Sequence, residues 1–331
     1  MMNRTDAHSR PAVTLTVSPR TDGDRQILQR ALSDLAQQDA SIRIRTEIDG
    51  LIAIAGVSES QLHSIRERIL RDYGVEADID RPKAIYLATI RKQAEARGEF
   101  RYVNVKLRLE PLEEGGGYEF INEIMDESLP PEYIDPINSA IQDVMKAGIL
   151  GGYEIVDLRA VLCDGSYPRD GSTESFAKIA ASMAFKEGVR RAIPVVMEPI
   201  MAIEIKGEEH LNTFDIIGEL KSRRGSITGL ERFDHSFLLR AIAPMEEMLG
   251  YSAFLRSNMQ GQANHSMRLI RYADAFPGSE PGDDESGLSA VDPNDPKPES
   301  GGDVAGVLAF KPRGPKGKSR SAAAKLDPES E

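Results

Sequence analysis

The feature that most constrains this chain is one order of secondary structure that occurs twice. In the first occurrence PAVTLTV, residues 11–17, alternates with the period of a half-buried strand. Ile27, Leu28, Ala31, Leu32 and Leu35 then fall at helical spacing within 22–38. SIRIRTEI (41–48) and LIAIAGV (51–57) read as two strands joined at Asp49-Gly50, a strong hairpin dipeptide. A second helix opens at Ser58, with Gln61 completing a capping box. It carries Leu62, Ile65 and Ile69 on one face and closes at Gly74 before the strand VEADI, 75–79. The second occurrence runs from 199 to 275: strand IMAIEIK (200–206), helix 211–222, strands SITGLERF and FLLRAIAP, helix 244–257 and strand 262–271. This β-α-β-β-α-β order predicts a ferredoxin-like domain in each place.

Residues 83–198 break the pattern, mixing strands (YVNVKLRLE, EIVDLRAVLCD) with helices over 132–147 and 173–191. The expected fold class is therefore α+β, with two ferredoxin-like domains flanking a different α+β domain. The expected boundaries are a disordered N-terminus at 1–10 and domains at 11–81, 82–198 and 199–275. With no tryptophan and 6% aromatic residues, the cores must be aliphatic. After Ala275 the composition changes to Pro, Gly, Asp and Ser, followed by the basic run KPRGPKGKSRSAAAK. Such a segment cannot bury enough apolar surface to order itself, so 276–331 is expected to be a disordered tail with an acidic and then a basic block.

Several kinds of chemistry find no support. The formal net charge of −12 argues against a global basic footprint for nucleic acid, leaving only local patches. The start MMNRTDAHSR has no apolar core of a leader, and no run approaches a membrane span, so a cytoplasmic protein without membrane contact is expected. Cys163, the only cysteine, reads as a structural thiol, and the five histidines are scattered without metal-ligand spacing. The one Gly-Lys-Ser, at 317–319, has Pro312 where a phosphate loop needs its first glycine, and no strand precedes it. No nucleotide site, metal, cofactor or catalytic group is expected, and the chain reads as a binding protein rather than an enzyme.

Two stretches suggest binding. On the helix from Thr173, Phe176, Ile179, Ala180, Met183 and Ala184 form an apolar stripe, while Lys178, Ser182, Lys186 and Arg190 follow at steps of four. Those cations suit first a solvated face near a helix C-terminus, with a phosphate-contacting surface as the second reading. The preceding loop, 164–172, presents Tyr167 beside Arg169, which suits base stacking or a simple connector.

These segments carry a resemblance. Asp-Arg-Pro82-Lys-Ala-Ile-Tyr86, with Thr89-Ile90-Arg91, Gly117-Tyr118-Glu119-Phe120-Ile121-Asn122, the helix from Phe176 to Gly188, Glu198-Pro199-Ile200-Met201, DIIGELKSRRG from Asp215 to Gly225, and Met248-Leu-Gly250-Tyr251 occur in the order found in the C-terminal half of bacterial elongation factor G, domains III, IV and V. The resemblance covers about Pro11 to Ala275. It implies that the middle domain is ribosomal-protein-S5-like, and that the partner is the ribosome. It implies further that the fifth domain lies near ribosomal RNA of the large subunit, with Lys221, Arg223 and Arg224 as contacts. The fourth would approach tRNA at the A site, with Tyr167, Pro168 and Arg169 on one tip loop and Arg97-Gly98 on another; Lys178 and Lys186 are further candidates.

The chain departs from that family at both tips. Pro168 and Arg169 stand where Gly-Ser-Tyr-His-Asp has His and Asp, and Glu95-Ala96-Arg97-Gly98-Glu99 keeps only Arg-Gly of Gly-Gly-Arg-Gly-Gln. The family's GTPase domain, which uses GTP, has no counterpart in the sequence. The expected function is an elongation-factor-G-like translation protein without its own GTPase domain that binds near the translation-factor site. It would act as modulator, competitor, or half of a split factor with a separate translational GTPase. The alternatives are a non-functional remnant and an interaction module that has left the ribosome.

Overall fold

The computed structural model describes residues 10–39, 41–46, 51–75, 77–101, 103–125, 128–167 and 174–275. The chain divides into units 1–288 and 289–331, and every described residue lies in the first. The expected turn at Asp49-Gly50, nearly all of the N-terminal segment, Pro168, Arg169 and the tail from 276 lie outside the described residues.

In the first domain the alternation of 11–17 becomes β1 (Val13–Pro19), whose Val13, Leu15 and Val17 are buried. Helix α1 (Asp22–Gln38) starts where the Thr21 hydroxyl accepts the Asp24 amide. Strands β2 (Arg43–Thr46) and β3 (Ile52–Gly56) pair antiparallel, and α2 (Glu59–Tyr73) follows. Its cap has the expected reciprocal form, shifted by one residue: Gln61 donates its amide to Ser58, and its side-chain oxygen accepts from the Val57 amide at 2.8 Å. The helix closes at Gly74 in the left-handed region. With β4 (Ala77–Ile79) the sheet order is β2-β3-β1-β4, all antiparallel, as a ferredoxin-like domain requires. A further short strand, β5 (Lys83–Ala84), returns to pair with β1, so the chain is still bonded to the first domain beyond residue 81.

The middle domain contains β6 (Leu87–Ile90), β7 (Ala94–Phe100), β8 (Val103–Pro111), β9 (Tyr118–Asn122), α3 (Ile134–Ala147), β10 (Glu154–Ile155), β11 (Leu158–Ser166) and α4 (Glu174–Arg191). Its sheet runs β7-β8-β11-β9, with β9 and β11 parallel and joined through α3, in the S5-like arrangement. One face of that sheet packs on α4 and the other faces solvent.

The third domain begins inside β12 (Pro194–Glu208), a fifteen-residue strand. Its first residues pair with β6 of the middle domain, and the remainder forms the centre of a second ferredoxin-like sheet. Helix α5 (Thr213–Ser222), β13 (Ser226–Arg232), β14 (Ser236–Pro244), α6 (Met245–Met248), α7 (Tyr251–Asn258) and β15 (Ala263–Asp274) complete it, in the order β15-β12-β14-β13. The helix expected over 244–257 is interrupted, because the chain turns extended at Leu249 after α6 and Gly250, at φ 75°, heads α7. The carboxylate of Glu59 in α2 accepts the freed Gly250 amide at 2.9 Å.

The first and third domains share one hydrophobic core, running from Leu32 and Ile69 to Met201, Leu239 and Tyr251 and reached by Leu87 and Val156 of the middle domain, while the middle domain has its own, centred on Leu107, Ile141 and Phe185.

Two expectations fail in the middle domain for one reason. Residues 95–99, expected as a tip loop around Arg97-Gly98, lie within strand β7 with Ala96 and Gly98 buried. The stripe on α4 is displaced: Ala177, Ala180, Ala181, Ala184, Phe185, Gly188 and Val189 are buried, whereas Ile179 and Met183 face outward, 40% and 48% exposed. The cause is closeness. A Cβ on Gly98 would stand 1.9 Å from the Ala180 carbonyl oxygen, and one on Gly188 would stand 2.8 Å from Leu109. Only small side chains fit where α4 crosses Gly98, so Ile179 and Met183 lie on the side of α4 away from it, while Phe185 and Val189 are buried elsewhere in the core.

Candidate functional site

The solvent-facing side of the middle sheet is a lattice of ion pairs. Lys106 lies 2.6 Å from Glu95, and Arg97 lies 3.3 Å from Asp164. Arg108 bonds Glu110 and Glu123, and Arg159 bonds Glu110 and Glu119. Hydrogen bonds from Lys106 and Arg108 hold the carboxyls of Glu95 and Glu110 below the usual carboxylate range, while bonds to Glu123 and Glu110 hold Arg108, and bonds to Glu119 and Glu110 hold Arg159, protonated more firmly than usual. With every one of these cations matched, the face offers no net positive field to phosphates. Cys163 sits half-buried at the bulge in β11, its thiol pushed up by burial, in keeping with a structural role.

The end of this domain is built by the turn between β7 and β8 and by the two ends of the 167–174 connection. Tyr167 is half-buried, its ring 5.6 Å from that of Tyr133, and packs on the middle core. Arg101 adopts φ 47°, and its guanidinium stacks on Phe176 of α4 at 5.2 Å and on Phe100 at 5.8 Å. This exposed cation is the residue that sequence reading missed here; the Phe-Arg pair at 100–101, just past a predicted loop, was the available signal. Gly98 is a packing position under α4.

DIIGELKSRRG resolves into parts with different duties. Arg223 donates to Glu219 and to the Leu249 carbonyl, with its guanidinium 5.5 Å from the Tyr251 ring, so it fastens α5 to the α6–α7 break. Arg224, at φ 58°, makes a two-pronged bond to Glu198 (3.0 and 2.6 Å), a carboxylate only 4% exposed where the chain passes from middle to third domain. The same carboxylate and that of Glu246 help burial push the neighbouring Tyr86 hydroxyl up to about 12. Gly225 turns so tightly that a Cβ would meet the Leu220 carbonyl oxygen at 2.6 Å.

Lys221 remains exposed, with no ion-pair partner among the described residues. It shares a helix face with two residues that sequence reading passed over. Phe214 stands seven residues earlier and is 79% exposed. Gly218, between them, lies mid-helix with nothing within 4 Å of where its Cβ would be. Burial of Thr213, Ile216 and Leu220 sets the opposite face, so a helical wheel would have revealed Phe214 as an apolar residue without a core to enter. Arg232 donates to the Thr213 hydroxyl at 2.9 Å, bringing the end of β13, and the 53%-exposed Phe233 after it, to the start of α5.

Lys178 and Lys186 on α4 likewise have no ion-pair partner among the described residues, and they line a groove against α3. Among the described residues no cluster of His, Cys, Asp or Glu could hold a metal ion, and no helix is long and apolar enough to cross a membrane.

Two ferredoxin-like domains that share a core and flank an S5-like domain define the C-terminal architecture of a translation factor. Three family models match in sequence: elongation factor G domain III over residues 8–81, domain IV over 78–193, and the elongation factor G C-terminus over 195–278. The chain belongs to the elongation factor G family through these three domains. Among solved structures it is similar to a crystal structure of a protein from Thermus thermophilus, with 31% identity and a TM-score of 0.62, over 81% of this chain and 41% of that one. It therefore spans less than half the length of that protein.

Proposed function

We propose that this chain binds the ribosome near the translation-factor site and carries out no chemistry of its own. The observation that carries the reading is the outer face of α5. A glycine inside a helix costs about 0.8–1 kcal/mol relative to alanine. Such a cost is usually offset by close packing, yet Gly218 meets open space within the chain. An exposed phenylalanine before it and an unpaired lysine after it complete a face shaped for close approach by a partner with both bases and phosphates, as ribosomal RNA has. In this reading Lys221 contacts RNA of the large subunit, while Arg223 and Arg224 position the helix end. The end of the middle domain, with Arg101 and Tyr167 and with Pro168 and Arg169 next in sequence, faces tRNA and the decoding site, while Arg97, matched by Asp164, is left out of that contact. Gly98 supports that end from beneath α4. No nucleotide or metal is needed for any of these contacts. GTP chemistry, where the reading needs it, belongs to a separate translational GTPase.

The test is sucrose-gradient co-sedimentation of the full chain with 70S ribosomes. Wild type is expected to co-migrate, with affinity falling as salt rises. Gly218→Gln is expected to leave stability unchanged or raise it by roughly 0.5 kcal/mol while weakening co-migration several-fold. Lys221→Glu is expected to weaken it and flatten the salt dependence. Displacement by intact elongation factor G would mark a competitor, and enhancement by a GTPase partner a split factor. No co-migration at low salt, or both variants binding undiminished, would overturn the reading.

A further inference from the structure

We propose that the groove between α3 and α4 docks an acidic amphipathic helix of a protein partner, a surface independent of the ribosome reading. The groove encloses about 580 Å³. Its floor is apolar: Val144 and Ala147 from α3, Ile179 and Met183 from α4. Ile179 and Met183 are there because the tight seam on the opposite side of α4 admits only small residues, which leaves two large apolar side chains in water at 40% and 48% exposure. Its rim is basic. Lys178 and Lys186 stand two turns apart, about 12 Å along the helix, and neither is paired among the described residues, whereas Asp143 is the single acid in the lining.

That combination selects among partners. An RNA backbone would match the lysines but would lay charged phosphates over an aliphatic floor that offers no ring for base stacking, and desolvating phosphates there is unfavourable. A helix with apolar residues at i, i+4 and i+7 fills such a trough, and acidic residues eight apart on its flank reach both lysines. Methionine adapts to varied apolar partners. Ala147 contributes only a methyl on the α3 side, so a helix can approach closely. The charge complementarity commits the occupant to an acidic helix.

The probe is a fluorescein-labelled synthetic helix with Leu at i, i+4 and i+7 and flanking Glu residues eight apart, titrated with the full chain by fluorescence anisotropy. It is expected to bind about tenfold more tightly than a scrambled peptide of the same composition, and Met183→Ser to weaken it about fivefold. Lys178→Glu combined with Lys186→Glu is expected to weaken it about tenfold, and a probe with Lys in place of the flanking Glu to recover binding to that variant. All three substitutions are at exposed positions, and circular dichroism checks that each variant folds. Equal affinity for the scrambled peptide, or failure of the charge swap, overturns the proposal. So does a single-stranded RNA that competes with the probe and is lost with the same lysines, which would make the groove an RNA site. Sedimentation showing a dimer that the double variant abolishes would assign the groove to a second copy and overturn it equally.

Discussion

At the scale of single residues, a half-buried histidine makes the stability of the third domain depend on pH. His265 on β15 lies edge-on to Tyr251 at 5.6 Å, with its Nε2 3.4 Å from the Ser252 hydroxyl. Burial lowers its pKa from 6.5, and the Glu59 carboxylate opposes that only in part. The folded state therefore holds the ring neutral where the unfolded chain would protonate it. Its contribution is complete above 6.5 and is lost as pH falls below 6.5 toward the depressed folded value. The paired carboxyls of Glu95 and Glu110 act in a lower window: their folded pKa values lie below 4.5, so what they contribute is present above 4.5 and is lost as pH falls further. Urea unfolding should thus show a midpoint that drops between about pH 7.5 and about pH 5.5, and His265→Phe should flatten that drop while leaving the fall below about pH 4.5 unchanged. A variant whose midpoint falls as steeply as wild type across the upper window would assign the effect to other groups.

At the scale of elements, two glycines in superficially similar settings are expected to respond oppositely. Gly98→Ala places a methyl against the Ala180 carbonyl oxygen on the backbone of α4, which has no flexible end to move aside. The helix must lift from β7, and the cost is expected at roughly 2–3 kcal/mol, read as a lowered denaturation midpoint with faster amide exchange in 174–191. Gly218 meets nothing and should tolerate substitution. The sequence could not separate these two, because steric demand at a glycine depends on what the fold brings opposite it. Local signals were legible where the cause was local: α1 occupies the 22–38 that its periodicity marks, and Ser58, Gln61 and Gly74 bound α2 as their chemistry requires. Ile179 and Met183 misled because helical spacing identifies an apolar face without saying how close the neighbour lies, whereas Phe176 of the same stripe does pack on the middle core. The seam on α4 is built from alanine and glycine, residues that a hydrophobic pattern weighs least. Of the candidate contacts, the charges in Lys-Ser-Arg-Arg looked alike in sequence. Only the fold distinguishes Lys221, without an ion-pair partner among the described residues, from Arg223 and Arg224, whose partners are as far away in the chain as Leu249 and Glu198.

At the scale of the molecule, the two ferredoxin-like domains are separated by the whole middle domain in sequence yet bury their apolar residues in one cluster. Polar bonds reinforce the joint. Glu246 of α6 accepts the Ala84 amide at 2.7 Å, and Glu59 of α2 accepts the Gly250 amide at 2.9 Å. The middle domain is tied on differently, by β12 running through both sheets, by the Glu114 carboxylate accepting the Tyr272 amide, and by the Arg91–Asp274 pair, while its core, apart from Leu87 and Val156, stays separate. Free energy lost in one part of a shared core is felt throughout it, so the first and third domains should open as one cooperative unit and the middle domain as another. Leu32→Ala, a truncation deep in the first domain, is expected to cost about 2–5 kcal/mol. Hydrogen exchange followed by mass spectrometry should then show lost protection in β12 and β14 of the third domain as well as in β1, with β8 and β11 of the middle domain unaffected. Adding Glu246→Ala, which leaves the Ala84 amide without its acceptor, should weaken that transmission. Loss of protection confined to residues 10–84 would mean that the joint is only a contact. Equal loss in all three domains would mean that β12 couples the whole body into a single folding unit.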